Sequence, residues 1–514
     1  MPNAPTSSDR PHPPRPRQAP PRRRDRFPQI ALCLVAALLA SLPVAAAPSW
    51  GLGAEGHAVP GLVSEEASRD AAGSFPRPTP GAGAPAVGPP YITARSSNGR
   101  YFVDQYGQPI LVKGDSPWTL MTRLSPDEAR SWLADRSKRG FNAAIVSLIG
   151  DEVNGAPMPN GRTYDGIAPF VDGDVLRWNE PYWQRAHDHA RMAADRGITL
   201  LLYPIDAWTL DNAFRPTSIQ QCRDYGAKVA AHFRDLPNIV WMSGGDYLPR
   251  NQGSDQGSED DRCIEAGMRG IRDTGDNRLF SMQLHHPTPL STSDPYWAAR
   301  VDWNFVYTYH PTYRAVLDAY ARRPVLPALM GEANYEGENN QPMTAPTTDE
   351  TLRRQVLWAL TSGSAGDVFG TRDWKFDESW EQRRETDAVN QVTRLRRLFS
   401  SLPWWQLAPD VDESFVTAGR GDRLSRFEPL DVLDNDYVTA ARTPDGAAAV
   451  VYLPSATAIT IDRSKLAGDI RARWFDPSSG ATRAVAVTSQ YTSPGRNLAG
   501  DEDWLLLFTR PGSG

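Results

Sequence analysis

A chain of 514 residues is too long for one small hydrophobic core, so a large domain with a smaller companion is expected. The first 47 residues hold seven arginines and two acids, and their removal shifts the net charge from −6 to about −11. An acidic surface of this kind argues against a nucleic-acid partner, because phosphate binding depends on Lys and Arg.

The N-terminal region has the composition of an export signal. Four arginines within 22–26 precede an uncharged apolar run over 30–44, and small alanines follow at 45–47. A membrane anchor is the alternative, but a span needs about 20 apolar residues. We predict a signal peptide over 1–47 and a disordered Pro-, Gly- and Ala-rich linker over 48–90. The mature protein is then secreted or periplasmic, without membrane contact.

From residue 91 onward, short apolar runs alternate with longer helical stretches, which is the pattern of repeated βα units. The first helix shows start signals, because Ser125 can cap it and Pro126 occupies the first helical position. The pattern predicts an α/β fold, a (β/α)8 TIM barrel over 91–402, with an open doubly wound sheet as the alternative. Its predicted strands are 110–114, 143–148, 199–205, 239–244, 279–283, 305–309, 325–331 and 365–369.

The pattern changes after residue 400. Four short apolar runs, over 450–453, 458–461, 471–475 and 504–508, are separated by Pro, Gly, Asp and Ser turns without a helical period. We predict a smaller, antiparallel β-sandwich domain over 403–514.

Acids and aromatic rings follow several predicted strands, at the end where barrel enzymes hold their catalytic groups. Aromatic faces stack on sugar rings and carboxylates accept hydrogen bonds from sugar hydroxyls, so the set favours carbohydrate chemistry. Any single acid could instead cap a helix or stabilise a turn. The candidate substrate-binding residues are Asp115, Trp118, Asp206, Trp208, Tyr247, Tyr307, Tyr309, His310, Tyr335 and Trp374.

Two of the acids are candidates for catalysis. Cleavage of a glycosidic bond needs one carboxyl group that protonates the leaving oxygen and another that attacks the anomeric carbon or activates water. Asp246 follows the fourth predicted strand after two glycines, and Glu332 follows the seventh. These strands lie on opposite sides of a barrel mouth, so the two acids could face each other across a substrate.

We predict Asp246 as the acid/base, with a pKa raised by its negative partner, and Glu332 as the nucleophile. Either Tyr307 or Tyr309 could hydrogen-bond the nucleophile, and Trp374 could form the floor of the sugar subsite. The alternatives are a helix cap for Asp246 and a structural ion pair for Glu332.

Several separated motifs resemble those of the apiosidase-like glycoside hydrolases, in the same order, from about residue 97 to 400. They are Phe102-Val103-Asp104 with Gly107-Gln108-Pro109, Gly114-Asp115-Ser116-Pro117-Trp118, Gly140-Phe141-Asn142, Trp241 through Asp246, Gly331-Glu332 with Tyr335-Glu336-Gly337, and the region 363–370 before Trp374. The resemblance implies a (β/α)8 architecture similar to that of the large clan of retaining glycosidases. In that clan the acid/base follows strand four and the nucleophile follows strand seven.

One departure from the wider clan concerns the acid/base. Most of its members have Asn-Glu after strand four, whereas this chain has Gly245-Asp246. The apiosidase-like family resembles this chain in using aspartate there. The C-terminal motifs Pro403-Trp404-Trp405, Val450-Val451-Tyr452 and Trp474-Phe475-Asp476-Pro477 resemble the β-domain often joined to such barrels and labelled collagen-binding. Packing against the barrel is the interpretation we favour for that domain.

The two cysteines outside the signal lie near the starts of the third and fourth helices, at Cys222 and Cys263. Neighbouring barrel helices run side by side, so we predict a disulfide between them. The histidines lack the carboxylate or cysteine neighbours of a catalytic zinc, so no metal site or other cofactor is expected, although calcium bound by loop acids stays open.

The sequence therefore predicts a secreted glycoside hydrolase that acts on side chains of plant or microbial polysaccharides by a two-carboxylate, retaining mechanism. The resemblance suggests a furanoside such as apiose or arabinose. A non-catalytic extracellular carbohydrate-binding or adhesion protein on the same scaffold is the alternative. The oligomeric state is not readable from the sequence.

Overall fold

The computed structural model describes residues 88–511 apart from 152–154, 158, 216, 250–256, 287, 339–345 and 427–428. The predicted signal peptide, and the predicted linker up to residue 87, lie outside the described residues. Within the described residues, no helix is long and apolar enough to cross a membrane.

Eight parallel strands form the central sheet, and its hydrogen-bonded order is β5-β4-β3-β2-β1-β8-β7-β6. In chain order they are β1 Val112–Asp115, β2 Ala143–Ser147, β3 Thr199–Tyr203, β4 Ile239–Tyr247, β5 Phe280–Leu284, β6 Asn304–Tyr307, β7 Ala328–Glu332 and β8 Gly366–Phe369. This order is that of a TIM barrel, as predicted.

The sheet is completed between β5 and β6 by side chains in place of a regular ladder. The Ser291 hydroxyl donates to the Met282 carbonyl at 2.6 Å and accepts from the Phe305 N–H at 2.9 Å. The Ser281 hydroxyl donates to the Trp303 carbonyl at 2.6 Å. Two serines thus satisfy backbone groups that a continuous strand pair would otherwise satisfy.

Each strand is followed by a helix on the outside of the barrel. These are α1 Pro126–Lys138, α2 Glu180–Ala194, α3 Ile219–His232, α4 Glu259–Asp273, α5 Pro295–Ala298, α6 Thr312–Ala321, α7 Asp349–Thr361 and α8 Asp387–Ser400. Helix α1 begins as predicted, because the Ser125 hydroxyl accepts from the Glu128 N–H and the Glu128 carboxylate accepts from the Ser125 N–H.

The strand side chains alternate between the barrel interior and the layer beneath the helices. On β3, Leu201 and Tyr203 join the interior cluster, whereas Leu200 and Leu202 join the cluster packed on the helices. Because both faces are covered, every residue of β3 is buried. A polar side chain on the interior face of such a strand is buried inside the barrel and needs hydrogen-bond partners there.

Helices α3 and α4 approach each other backbone to backbone. A Cβ on Gly226 would lie 1.9 Å from the Gly267 carbonyl oxygen, and a Cβ on Gly270 would lie 1.9 Å from the Arg223 carbonyl oxygen. Cys222 and Cys263 are joined across this contact by a disulfide, with their Cα atoms 5.5 Å apart. The glycines allow the close approach, and the disulfide joins the two helices near their starts.

The C-terminal region folds into two antiparallel sheets. The strands are β9 Ala408–Pro409, β10 Val416–Ala418, β11 Thr439–Arg442, β12 Ala448–Leu453, β13 Ala458–Ile461, β14 Arg471–Phe475, β15 Thr482–Val485, β16 Gln490–Thr492 and β17 Trp504–Thr509. The six-stranded sheet has the order β9-β11-β12-β17-β14-β15, and the three-stranded sheet the order β10-β13-β16. The predicted antiparallel sandwich is therefore correct in type.

The larger of these sheets is covered on both faces. Val450 and Tyr452 on β12 share a core with α7 and α8 of the barrel, whereas Val451 and Leu453 share a core with the three-stranded sheet. A buried ion pair reinforces the first contact, because the Arg353 guanidinium donates to the Asp503 carboxylate at 2.8 Å. The C-terminal domain packs against the barrel, as favoured from the sequence.

Candidate active site

Glu332 is the last residue of β7, and it is 7% exposed. Its carboxylate accepts hydrogen bonds from the Gln283 amide and from the Tyr309 hydroxyl, the latter at 3.3 Å. The Tyr335 hydroxyl makes a third hydrogen bond to it. Burial raises the pKa of Glu332 well above its usual value, the charge of Asp246 raises it further, and the three hydrogen bonds oppose that rise.

Two aromatic residues support the groups that bind Glu332. The Tyr203 hydroxyl donates to the Gln283 Oε1 atom at 2.7 Å, and the Trp118 Nε1–H donates to the Tyr335 hydroxyl oxygen at 2.7 Å. These two bonds use the acceptor oxygens of Gln283 and Tyr335. The Gln283 N–H and the Tyr335 O–H are therefore left to point at Glu332.

Strand β4 continues through Tyr247, so the predicted end of this strand at residue 244 was wrong. The pairing with β5 passes from Met282 opposite Ser243 to Leu284 opposite Tyr247, so β4 carries two extra residues in a bulge. Asp246 lies inside this bulge and not in a turn beyond the strand. Bulges of this kind re-aim side chains next to functional sites.

The two glycines of the bulge are required by their neighbours. A Cβ on Gly244 would lie 2.0 Å from the Gln283 carbonyl oxygen, and a Cβ on Gly245 would lie 2.5 Å from the Trp208 ring. Both glycines, and Asp246 after them, have positive φ angles of 101°, 63° and 57°. Aspartate is one of the few residue types that adopts this left-handed conformation at moderate cost.

The Asp246 carboxyl group has fewer partners than Glu332. Burial raises its pKa, while a hydrogen bond with Tyr307 and the nearby His285 imidazole lower it. Among the residues that the structure describes, the buried Asp246 Oδ1 atom has no hydrogen-bond partner. This oxygen is available for a group that the described residues do not supply.

Two tyrosine hydroxyls connect the carboxyl groups. Tyr307 bonds Asp246, the Tyr307 and Tyr309 hydroxyl oxygens lie 2.6 Å apart, and Tyr309 donates to Glu332. Of the two tyrosines expected beside Glu332, Tyr309 makes the direct contact. Asp246 and Glu332 thus belong to one hydrogen-bonded chain.

Two predicted substrate ligands lie elsewhere. Asp115 is fully buried, and its carboxylate accepts from the Arg136 guanidinium at 2.5 Å and from the Ser116 N–H at 2.8 Å. The Tyr247 hydroxyl donates to the Asp261 carboxylate on α4 at 2.7 Å, on the helix side of the sheet. Both side chains stabilise the barrel wall and do not reach the carboxyl pair, because strand alternation directs them away from it.

Asp206 has a capping role. Its carboxylate accepts from the N–H and the hydroxyl of Thr209, both at 2.9 Å, and caps the short helix Ala207–Thr209. Burial raises the pKa of Asp206 to about 7. The half-buried Trp208 that follows packs on Gly245, and its ring meets that of Trp118 at 5.6 Å. These two tryptophans form the wall beside the bulge.

The remaining predicted residues lie on the β6 to β8 side. His310 is buried and its Nδ1 atom lies 2.9 Å from the Leu430 carbonyl oxygen, so that nitrogen faces the C-terminal segment and not the carboxyl pair. Trp374 contacts the Tyr335 ring at 5.9 Å, while its Nε1–H donates to Glu338 at 2.6 Å. The Lys375 ammonium lies over the Trp374 ring, 4.2 Å from its centre. A cation therefore covers one face of the ring that was expected to support a sugar.

Sequence reasoning missed Gln283 and Tyr203. Both are fully buried polar side chains on the interior face of the barrel. A polar residue within an otherwise apolar strand was the available signal, but a lone glutamine has no motif. In the described part of the chain, no group of three or more His, Cys, Asp or Glu side chains is arranged to hold a metal ion.

Comparisons with known proteins agree with this architecture. A glycoside hydrolase family 5 structure from Bacteroides vulgatus ATCC 8482 is 21% identical, covers 82% of this chain and 94% of its own, and has a TM-score of 0.68. Another structure described as a glycoside hydrolase is 20% identical, covers 82% of this chain and 97% of its own, and has a TM-score of 0.69. At these identities the likenesses show the fold. No curated protein sequence matches the chain.

Two family models match the sequence directly. The model described as "Apiosidase-like, catalytic domain" matches residues 96–406, and "Putative collagen-binding domain of a collagenase" matches residues 431–509. The chain is thus a glycoside hydrolase with a (β/α)8 barrel. The apiosidase-like match covers more than half of this chain, so the chain belongs to the apiosidase-like family.

Proposed function

We propose that this enzyme hydrolyses glycosidic bonds in polysaccharide side chains by a retaining mechanism, with Asp246 as acid/base and Glu332 as nucleophile. The observation that carries the proposal is the different hydrogen-bonding of the two buried acids. Glu332 accepts from three donors, which favours a carboxylate. The Asp246 Oδ1 atom is buried and has no hydrogen-bond partner among the described residues, so Asp246 has fewer donors to stabilise its charged form.

A count of hydrogens supports this division. The chain from Asp246 through Tyr307 and Tyr309 to Glu332 contains three hydrogen bonds, but the two tyrosine hydroxyls supply only two hydrogens. The third hydrogen must come from a carboxyl group. Burial raises the pKa of both acids, and this rise favours a proton shared by the pair. With that proton on Asp246, the Asp246 carboxyl donates to Tyr307, and each further bond donates toward an ionised Glu332. When Asp246 is ionised, the Tyr307 hydroxyl donates to it instead, which is why this bond lowers the Asp246 pKa.

In the proposed reaction, Asp246 donates its proton to the leaving oxygen as Glu332 attacks the anomeric carbon. The bond between that carbon and the leaving oxygen breaks, and a glycosyl ester forms on Glu332. Asp246, now a carboxylate, then takes a proton from water, and the water oxygen displaces Glu332. Both acids return to their starting forms.

The family description favours a furanoside such as apiose or arabinose as the released sugar. The four arginines within 22–26, the apolar run over 30–44 and the alanines at 45–47 support secretion or a periplasmic location. We also propose the domain division 91–402 and 403–514, since helix α8 ends at Ser400 and the strands of the sandwich follow.

The test is a screen of aryl furanosides, aryl pyranosides and plant pectins with the purified mature chain. Asp246→Asn and Glu332→Gln should each lower kcat by about 10³-fold or more on a substrate that the wild type cleaves. Asp188→Asn, an exposed carboxyl-to-amide change on α2, is the matched control and should retain wild-type turnover. Near-normal activity of Glu332→Gln on any substrate, or of Asp246→Asn on a pectin or another substrate whose leaving oxygen needs a proton, would show that the pair is misassigned.

Failure of the wild type on every substrate, together with tight binding of one of them, would favour the non-catalytic carbohydrate-binding alternative. The product configuration decides the mechanism separately. Proton NMR at early times should show a product with the anomeric configuration of the substrate, and the opposite configuration would exclude a glycosyl ester on Glu332.

A further inference from the structure

Gln283 lies on β5 between Met282 and Leu284, which pack beneath the helices, so its own side chain points into the barrel. It is fully buried. There its amide lies between two groups from other strands, with Oε1 accepting from Tyr203 on β3 and Nε2 donating to Glu332 on β7. A buried amide with both ends bonded is held in one orientation.

The orientation of this amide depends on Tyr203. A phenol has one hydrogen, and Tyr203 donates it to the Gln283 Oε1 atom at 2.7 Å. Burial raises the pKa of Tyr203 well above its usual value, so the hydroxyl keeps that hydrogen throughout the working pH range. The other end of the amide, which can only donate, then faces Glu332.

A donor-only neighbour discriminates between the two forms of Glu332. The Gln283 Nε2–H donates to a Glu332 carboxylate oxygen, and a proton on that same oxygen would make it a weaker acceptor for this bond. Hydrogen bonds to a charged acceptor are stronger than those to a neutral one. Gln283 therefore favours the ionised form of Glu332, and the single proton of the chain moves to Asp246.

The backbone of the same residue contacts the strand that carries Asp246. The Gln283 carbonyl oxygen lies close to Gly244 in the bulge, since a Cβ added to Gly244 would be only 2.0 Å from it. One residue thus touches β4 through its main chain and Glu332 through its side chain. Its position contributes to the spacing of the two acids as well as to their protonation.

We propose that Gln283 is a positioning residue whose amide, oriented by Tyr203, makes Glu332 the ionised member of the carboxyl pair. This inference rests on the proposed function, because it explains which acid carries the proton. It assigns Gln283 no contact with the substrate.

The direct test is the titration of Glu332 in the resting enzyme, followed by infrared difference spectra of the carboxyl bands between pH 4 and pH 9. The Glu332 band is identified as the one that Glu332→Gln removes. Gln283→Met, which has similar length and no donor, should raise the titration midpoint of that band by about one to two pH units. Tyr203→Phe leaves the glutamine in place but frees its orientation, and should raise the midpoint by a smaller amount.

Tyr225→Phe is the matched control. The Tyr225 hydroxyl is equally buried, but it donates to the Pro204 carbonyl at 3.0 Å and takes no part in the hydrogen bonds around Gln283 and Glu332. Its Glu332 midpoint should equal that of the wild type. If Gln283→Met does not fold, as judged by its thermal transition, Tyr203→Phe carries the test alone. A wild-type midpoint in the variant or variants that fold would overturn the proposal.

Activity separates this inference from the proposed function. On a substrate found by the screen, the acid limb of kcat/KM in Gln283→Met should move with the infrared midpoint, and KM should change little. An inactive Glu332→Gln with an unmoved midpoint in Gln283→Met would reject only the inference. An active Glu332→Gln would reject the proposed function, whatever the midpoint shows.

Discussion

Strands β4 and β7 each carry one acid of the pair, but they present it differently. The pairing of β7 with β6 also shifts register, by one residue before Glu332, but Glu332 is held there by three hydrogen-bond donors. Strand β4 is interrupted by a bulge whose three residues have positive φ angles, and Asp246 keeps one buried oxygen without a partner in the described chain. Burial is common to both acids, whereas partnering and backbone strain are not.

The difference shows how one barrel can give two carboxyl groups opposite roles. Burial raises the pKa of both, so burial alone does not choose which acid is ionised. In our proposal the donors around Glu332 make that choice, while Asp246, in the bulge, has fewer donors. The environments of paired titratable groups are what assign the acid and the base in such sites.

The largest expected effect is the loss of activity in Asp246→Asn and Glu332→Gln, which should depend on the leaving group of the substrate in one variant and not in the other. Asp246→Asn should lose about 10³-fold or more in kcat/KM on alkyl glycosides but much less on nitrophenyl glycosides, whose leaving oxygen needs no proton. Glu332→Gln should lose activity on both, because it lacks the nucleophile. A plot of log kcat/KM against leaving-group pKa measures this, and equal slopes for the two variants would contradict the assignment.

A third buried acid, Asp206, caps a helix, so it allows the effect of burial on a carboxyl pKa to be measured apart from the carboxyl pair. Its folded pKa of about 7 exceeds the ordinary aspartate value, so the folded state binds the extra proton and stability falls as pH rises from about 4 to 7. The loss is complete above pH 7 and amounts to at most about 4 kcal/mol. Asp206→Asn keeps the oxygen that accepts from Thr209, so it should match the wild type near pH 4 and be more stable at pH 8.

Urea unfolding at the two pH values measures this difference. The wild-type curve also contains the titration of other buried acids, so the quantity that counts is the variant minus the wild type. A difference that does not change with pH would show that Asp206 is not protonated in the folded protein at low pH.

The bulge itself can be broken at Gly245. Gly245→Ala adds a Cβ 2.5 Å from the Trp208 ring at a residue with φ of 63°, and should lower stability by about 2 to 3 kcal/mol and displace Asp246. Gly275→Ala is the matched control, because Gly275 also has positive φ (84°) but no atom within 4 Å of the added Cβ. It should lose about 1 kcal/mol and no activity. Equal effects in the two variants would show that the Trp208 contact does not shape the bulge.

The smallest expected effect comes from one donor of Glu332. Tyr309→Phe removes the 3.3 Å hydrogen bond and interrupts the chain to Asp246, while Gln283 and Tyr335 remain. We expect kcat to fall about tenfold with KM nearly unchanged, since a hydrogen bond to a charged group contributes about 1.5 to 3 kcal/mol. Steady-state kinetics measures it, and a change confined to KM would place Tyr309 in substrate binding instead.

Much of the barrel was predictable because its signals are local. The apolar runs of β2 and β3 are continuous since both faces are buried, and Ser125 followed by Pro126 marks the start of α1. Cys222 and Cys263 could be paired because adjacent helices of a barrel run side by side. Strand ends were less certain, and β4 was placed three residues short, since two glycines usually mark a turn and here form a bulge.

Side-chain partners were the less predictable level. Asp115 and Tyr247 lie beside the site in sequence, yet Arg136 and Asp261 bind them from the helices that follow, 21 and 14 residues further along the chain. Gln283 carried no motif, although it contacts both Tyr203 and Glu332. Such contacts join residues from different strands, and no local pattern records them.

The sequence by itself determined the alternation of strands and helices, the sandwich that follows, and the two acids at β4 and β7, because hydrophobic period and residue type are written along the chain. The tertiary structure alone decided which groups surround each acid. Burial, the bulge at Gly244 and Gly245, and the donors around Glu332 exist only once the eight strands close. The charge on a buried carboxyl group depends on those neighbours, so the roles that we propose for Asp246 and Glu332 rest on the folded barrel.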